Sequence, residues 1–567
     1  GFRIELGEVE AALRASPAVK DTVVVAKGDG ADKRLVAYLV LKAGFTPNLD
    51  ALKSHLRQGL PEYMVPSAFV FMEALPLNSN GKVDRKALPE PDAPSSSRVF
   101  RQPSSPTETA LAAIWADVLR QPRVGLDDSF FELGGHSLLA TQVVSRIRSE
   151  FRVELPLRAL FEDATLGALA LRVDSLRPSS LVPPLVPTAR DTALPLSFAQ
   201  QRLWLIDQLE SGTALYNIPV PVRLEGALDL EVLSRALAEV VRRHESLRTT
   251  FVEHEGQPVQ RIAPTLSIPL VIQDLSAVPD SEREAQARLH IAEEIQKPFH
   301  LQQGPLLRAL LLKLRDTEHL LVVTMHHIVS DGWSLGVLLR ELGALYAAFA
   351  QGAASPLAEL SVQYADFAAW QRGWLQGDVL QRQVDFWKRH LAGAPPLLEL
   401  PTDKPRPAVQ GTAGATLAFS LPKALSDSLK ALALHEGGSL FMVLLASWQS
   451  LLARYSGQLD ISVGSPIAGR TRSETEGLIG FFVNTLVLRA QLTEAQTFRQ
   501  LLQQTRESVL AAYEHQDVPF EKLVEALQPA RSLSHAPLFQ SLLALQNVPS
   551  RALQLPGLSL KPVEFET

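Results

Sequence analysis

The sequence predicts a multidomain chain made of a small α+β unit, a compact helical bundle and a large mixed α/β region. Three observations predict it. The length of 567 residues exceeds one ordinary domain of roughly 100–200 residues. Two proline-rich stretches, 89–104 and 176–192, interrupt the hydrophobic patterning as linkers do. The patterning also changes character across them: mixed helix and strand periods in 1–88, helical in 105–175, mixed again in 193–567.

Composition removes several classes of function. Apolar residues make up 46% of the chain, enough for several cores, which argues against wholesale disorder. Lys and Arg number 55 against 61 Asp and Glu, and no long basic run occurs, so a nucleic-acid partner has no electrostatic support. The absence of cysteine excludes disulfides, thiolate catalysis and cysteine metal sites, and it fits a reducing, cytoplasmic setting. No metal site is expected. Apolar runs such as Leu440–Trp448 fall well short of the ~20 residues that span a bilayer, so no membrane partner is expected either.

In residues 1–88, Leu6, Val9 and Leu13 mark a short amphipathic helix that stops before Pro17. Thr22–Ala26 and Arg34–Leu41 read as strands about a Gly28-Asp29-Gly30 turn. A helix is expected over Leu49–Gln58 and a strand over Ala68–Met72. Asn80-Gly81 then turns into Lys82, which by itself reads as an ordinary solvated lysine.

After the first linker, Ser105, Pro106 and Glu108 form a helix start signal, a cap followed by an N1 proline and the partner of a capping box. Leu111, Ile114, Trp115, Val118 and Leu119 supply one apolar face. A loop over 121–136 leads into Leu133-Gly134-Gly135-His136-Ser137-Leu138, where Leu139, Val143, Ile147 and Phe151 begin a second helical face. Ser137 therefore lies at or near a helix N-terminus, as a plain N-cap, a nucleophile or an attachment point for a phosphate-linked group. A nucleophile elbow reads G-x-S-x-G; Leu139 stands where its last glycine belongs and no strand leads in, which disfavours the nucleophile. Leu157–Phe161 and Leu166–Val173 complete the bundle.

In the large region Leu306–Leu314 and His319–His327 read as neighbouring strands, and Leu335, Leu338, Leu339, Leu342, Leu345, Tyr346 and Phe349 as a buried helical stripe. Between them lies Met325-His326-His327-Ile328-Val329-Ser330-Asp331-Gly332. Adjacent strand residues face opposite ways, so the two histidines cannot share one metal ion. One can pack or hydrogen-bond while the other faces a cavity, where an imidazole suits proton transfer. Asp331 is placed to orient a histidine or to pair with an arginine. A purely structural histidine is the alternative.

Several strings in order carry a family resemblance. Gly1–Glu10, Leu60–Pro66 and Asn80-Gly81-Lys82 resemble the last motifs of adenylation domains, and Leu133–Leu138 resembles the carrier-protein motif. Ser197–Trp204, Arg243–Phe251, the His326-His327 string, Tyr364–Trp370, Ile479–Thr485, His515–Glu521 and Arg531–Phe539 resemble, in sequence, the motifs of condensation domains. The chain thus resembles a piece of a nonribosomal peptide synthetase over essentially its whole length.

The resemblance implies a four-helix carrier bundle followed by a two-lobed, chloramphenicol-acetyltransferase-like domain. It implies 4′-phosphopantetheine on Ser137, added by a phosphopantetheinyl transferase, and His327 as the active-site residue of amide formation with the amine on a downstream carrier. His326, Asp331 and Asn484 are grouped with His327, Asp331 being expected to pair with Arg248. Lys82 corresponds to a lysine that contacts adenylate when the adenylation core is present. That core is absent here, so no adenylation is expected from this polypeptide alone. The resemblance also implies a start in mid-motif and a condensation region that stops short of its usual extent. Rival implications are epimerisation of the carried residue, disfavoured by His136 and by the Arg243–Phe251 string, and a non-catalytic carrier-docking module. Cyclisation, which would need aspartates in place of both histidines, does not fit.

Overall fold

In a computed structural model the chain divides into two compact units, Gly1–Arg101 and Gln102–Thr567. The residues described are 6–27, 34–42, 52, 55–56, 66, 68–72, 74–76, 83–84, 88, 100–177, 182–210, 212–411, 413–530, 532–546 and 555–563.

The first unit runs α1 (Leu6–Arg14), β1 (Val19–Lys27), β2 (Arg34–Leu41) and β3 (Ala68–Phe71). The valine run of β1 suits a pleated strand buried on both faces. β1 pairs antiparallel with β2, and β3 lies parallel on its other side. Val9 and Leu13 of α1 pack on Val24, Ala37 and Leu39, one face of that sheet. Tyr38 lies in a second cluster with Val23 and Val36. The Gly28–Gly30 turn, most of the expected 49–58 helix, and Lys82 lie outside the described residues.

The second unit opens with α2 (Pro106–Leu119), α3 (Ser137–Phe151), α4 (Leu157–Glu162) and α5 (Leu166–Ser175). The expected capping box forms: Ser105 Oγ accepts from Glu108 N at 3.1 Å, and Glu108 Oε2 accepts from Ser105 N at 3.0 Å. Leu111, Trp115, Phe130, Ile147, Leu160 and Leu169 are fully buried, in a cluster that continues into Trp387, Leu445, Val487 and Val509 of the large region.

The 182–192 segment is tied down along its length, which its proline content did not indicate. Trp370 Nε1 donates to Pro183 O at 2.8 Å, Leu185 is buried, and Asp366 Oδ1 accepts from Thr188 N and Arg190 Nη1, both at 2.7 Å.

The large region continues as β4 (Leu194–Pro195), α6 (Phe198–Leu209), β5 (Asn217–Gly226), α7 (Leu230–Arg243), β6 (Thr249–His254), β7 (Gln257–Ile262), β8 (Leu270–Asp274), α8 (Asp280–Gln296), β9 (Leu307–Arg315) and β10 (Glu318–His326). Then come α9 (Gly332–Ala350), α10 (Tyr364–Trp374), α11 (Gly377–His390), α12 (Lys423–His435), α13 (Leu440–Ser456), β11 (Asp460–Ile467), β12 (Asn484–Gln491), α14 (Phe498–Glu514), α15 (Phe520–Leu527) and β13 (Leu558–Pro562). A five-stranded sheet of order β13-β5-β10-β9-β8 dominates its first part, with β9 and β10 the expected antiparallel neighbours. The helical stripe of α9 packs with α7 against this sheet, burying Leu338, Leu342 and Leu345 completely. The second part is built on the β11–β12 pair, with α13 and α14 packed on it. β13 returns from there to the edge of the first sheet, against β5.

Candidate functional site

The site forms where β10 ends. His326 is its last residue, and a one-turn helix, His327–Val329, follows. This break separates the two rings. His326 is buried among Phe299 and Tyr216, and its Nδ1 accepts from Ile328 N at 3.1 Å. Burial, with the charge of His327 adding, pushes its pKa down to about 3, so it is neutral and structural. This corrects the grouping of His326 with the catalytic residues.

His327 is half-buried, edge-on to Phe481 at 4.7 Å. Its Nδ1 lies 2.9 Å from Ser330 O. A carbonyl can only accept, so Nδ1 carries a proton, and in the neutral ring the lone pair is on Nε2. The ring lines a cavity of about 320 Å³ together with Ser137, Trp333, Phe441, Ile467 and Tyr513. That volume is at the lower end of what small-molecule sites occupy.

Asp331 is completely buried and caps α9: Oδ1 accepts from Ser334 N at 2.8 Å, and Oδ2 accepts from Phe482 N at 3.0 Å. Its ion-pair partner is Arg470, Nη2 to Oδ1 at 3.2 Å, not Arg248. Arg248 lies on the one-turn helix Glu245–Arg248, where it donates to Ala263 O and faces Glu245 at 3.8 Å. A turn only four residues long keeps the arginine beside its own acidic neighbour. Arg470 is buried under Phe482, 4.0 Å from the ring, and also donates to Ser334 Oγ at 3.0 Å and to Leu478 O at 2.8 Å. Desolvation pulls its pKa down, opposed by Asp331.

These bonds fix the loop beside His327. Ser334 Oγ accepts from Gly480 N at 3.0 Å, and Tyr364 packs so closely that a Cβ at Gly480 would stand 1.9 Å from its ring. The Arg243–Phe251 string serves the same loop: Ser246 Oγ donates to Ile479 O at 2.7 Å. His244 Nδ1 accepts from Ile479 N at 3.3 Å, and its Nε2 lies 3.0 Å from Glu341 Oε2. Sequence reasoning missed Arg470, Ser334 and Glu341; a buried polar partner carries no periodic signal.

Asn484 is also corrected. Its Nδ2 donates to Gln516 O at 2.9 Å and Val518 O at 2.8 Å, and its Oδ1 accepts from Phe520 N at 3.0 Å. With its amide so engaged, it ties β12 to the loop before α15 and lines a neighbouring cleft instead of the His327 cavity.

Ser137 is the first residue of α3, and His136 occupies the N-cap. The plain N-cap reading therefore fails. Ser137 Oγ is buried with no hydrogen bond of ordinary geometry, beside the Tyr513 phenol. Gly134 has φ +94°, the left-handed region that glycine tolerates, and a Cβ at Gly135 would meet Phe130 O at 2.5 Å. These two glycines thus serve the turn into α3 before they serve any visiting enzyme.

Residues 190–565 match the family model described as condensation domain. The chain belongs to the condensation-domain family. Ahead of the condensation domain, residues 109–173 match the phosphopantetheine attachment site and residues 8–82 the C-terminal domain of AMP-binding enzymes. The chain is 50% identical over 567 residues to one of the linear gramicidin synthase proteins of Brevibacillus parabrevis, covering 99% of this chain and 7% of that protein. It is 45% identical to a dimodular nonribosomal peptide synthase of Bacillus subtilis (strain 168), covering 98% of this chain and 23% of that protein. It therefore spans a small part of the relatives it matches. Among solved structures, the X-domain from teicoplanin biosynthesis is 30% identical with a TM-score of 0.61, covering 68% of this chain and 85% of that one. The four-domain nonribosomal peptide synthetase AB3403 is 25% identical with a TM-score of 0.59, covering 66% and 29%.

The carrier thus belongs to the phosphopantetheine-bearing class, and the residues at α3 fit the group. The orphaned Ser137 hydroxyl stands at a helix N-terminus, where free N–H groups and the helix dipole favour a phosphodiester.

Proposed function

We propose that this chain is the part of a nonribosomal peptide synthetase in which the carrier presents an aminoacyl or peptidyl donor on Ser137 to the condensation domain. The acceptor is the amine of an amino acid held on a downstream carrier, and the product bond is an amide. One observation carries the reading: Ser137 and His327, from separate domains, line the same cavity.

The prosthetic group supplies a thiol at the end of a long arm, on which the acyl group rides as a thioester. Ser137 anchors the arm, and the N-terminal N–H groups of α3 offset the phosphate charge. His327 lines the same cavity. The Ser330 carbonyl holds the proton on Nδ1, so Nε2 accepts a hydrogen bond from the incoming amine, orients it and takes its proton. An α-ammonium group has a pKa near ~8, so the proton to be shed is weakly held. The Asp331–Arg470 pair is a positioning device for the loop carrying His327. Tethering both reactants raises their effective concentration.

The finer assignments belong to the same reading: domains at 1–88, 105–175 and 193–567, the carrier a four-helix bundle, the last domain two-lobed and chloramphenicol-acetyltransferase-like. Lys82 contacts adenylate only with an adenylation core present, and a phosphopantetheinyl transferase loads Ser137. A cytoplasmic setting belongs to the same reading; no single helix among the described residues is long and apolar enough to cross a membrane. A non-catalytic docking role is the second reading, favoured by a solved complex of the teicoplanin X-domain with OxyB.

Intact mass after treatment with a phosphopantetheinyl transferase and coenzyme A tests the anchor: one arm is expected on the wild type and none on Ser137→Ala. Amide formation between loaded carriers is expected to fall at least ~100-fold in His327→Ala, the usual scale for a general acid–base group. An unchanged rate leaves the docking role.

A further inference from the structure

The carrier meets the condensation domain through a set of oriented charges that the chemistry of Ser137 and His327 does not use. On α4, Arg158 donates from Nη1 to Glu507 Oε2 at 2.7 Å and from Nε to Glu514 Oε1 at 3.0 Å. Glu507 and Glu514 both belong to α14, seven residues and about two turns apart, so they lie on one face of that helix. On α3, Arg148 donates from Nη1 to Thr471 O at 3.0 Å while Glu154 steadies its Nε at 2.8 Å. Arg146 stands 3.9 Å from Glu476. The carrier therefore offers arginines on two helices, and the condensation domain answers with carboxylates and a carbonyl on two separate segments.

We propose that Arg158 and the Glu507–Glu514 pair form the recognition element by which this condensation domain accepts a donor carrier. The partner it fits is a carrier with a cation at this position of its short third helix, here the carrier of the same chain. The proposal rests on Ser137 as the bearer of the donor. The apolar cluster that the carrier shares with the large region seats the bundle, and two directional contacts on different helices set its orientation on that seat. Arg158 provides one on α4 and Arg148 the other on α3. The fork of a guanidinium bridging two carboxylates also sets direction, which a lysine would not. The Arg158 contacts are partly open to water, with 29% of its side chain exposed. Solvent screening keeps such pairs weak, as a carrier that must leave to be reloaded requires. A carrier with an acidic residue there would face two carboxylates and be rejected.

The test uses the full chain and three variants: Arg158→Glu, Glu507→Arg with Glu514→Arg, and all three changes together. The first readout is hydrogen-exchange protection of α4 and α14 in the unloaded chain, at low and high salt. The second is amide formation from the carrier-bound donor, and the third is amide formation from a small soluble acyl thioester that needs no docked carrier. Arg158→Glu is expected to lose protection and to slow the carrier-bound reaction at least ~10-fold with the soluble-donor rate unchanged; the triple variant is expected to recover both. Raised salt should weaken wild-type protection. Unchanged protection in Arg158→Glu overturns the proposal, and so does a triple variant that unfolds at the wild-type temperature yet recovers nothing. If neither donor reacts in the wild type, the functional reading fails, and the exchange data still decide on the docking element.

Discussion

His326 is kept neutral by its surroundings, and that has a consequence for stability. Its pKa falls from 6.5 toward about 3, chiefly through burial. The folded state therefore disfavours the proton that the unfolded chain binds below pH 6.5. The contribution is fully present above pH 6.5 and is lost as the pH falls from there toward 3, to a limit on the order of 5 kcal/mol. His326→Asn keeps an acceptor for Ile328 N without titrating. Its urea midpoint is expected to fall less steeply than the wild type's between pH 6.5 and 4; parallel acid limbs would contradict this account. His327, one residue on, escapes the same burial because the strand ends between them. The sequence allowed one packed and one cavity-facing histidine but grouped both with the site; the end of β10 at His326 is what separates the two rings. Which arginine meets Asp331 was not legible, because Arg470 lies 139 residues away with no pattern to mark it.

Among elements, the turn into α3 is built with little tolerance. Gly135 N donates to Phe130 O at 2.9 Å, and a Cβ at Gly135 would lie 2.5 Å from that same oxygen. Backbone cannot move aside as a flexible side chain can. Gly135→Ala is expected to destabilise the carrier by about 1–3 kcal/mol, the usual range for overpacking. Native-state amide exchange of α2–α5 would register it, and exchange at the wild-type rate would refute it. The capping box at Ser105 and Glu108, the faces of α2 and α3 and the β9–β10 pairing were all legible, since each is encoded within a few residues. The N-cap of α3 was not: a serine there is a common cap, and only the backbone shows that His136 holds that place.

At the scale of the molecule, the segment between carrier and condensation domain is a strap, and one buried carboxylate, Asp366, gathers several of the bonds that hold it. Asp366 accepts from Thr188 N, from Arg190 at 2.7 and 3.1 Å, and from Gln363 N at 2.7 Å. Asp366→Ala leaves these donors without it and is expected to cost about 1–3 kcal/mol of local stability. Limited proteolysis should then cut within 182–192 faster than in the wild type, ahead of general unfolding. An unchanged cleavage order would show that the strap is held elsewhere, for example by Trp370 on Pro183.

Periods, caps, glycines and ordered motifs are written locally, and by themselves they determined most helices and strands near the site and the candidates Ser137 and His327; the three-way division read from the linkers is not how the chain packs, since residues 102–567 form one compact unit. Tertiary structure decided what joins across the chain: Arg470 on Asp331, Asn484 on the α15 loop, the strap on Asp366, and Arg158 on Glu507 and Glu514. The physical reason is that a buried or interfacial polar group is satisfied by whichever partner packing brings within about 3 Å, and packing is set by the apolar faces of many elements at once.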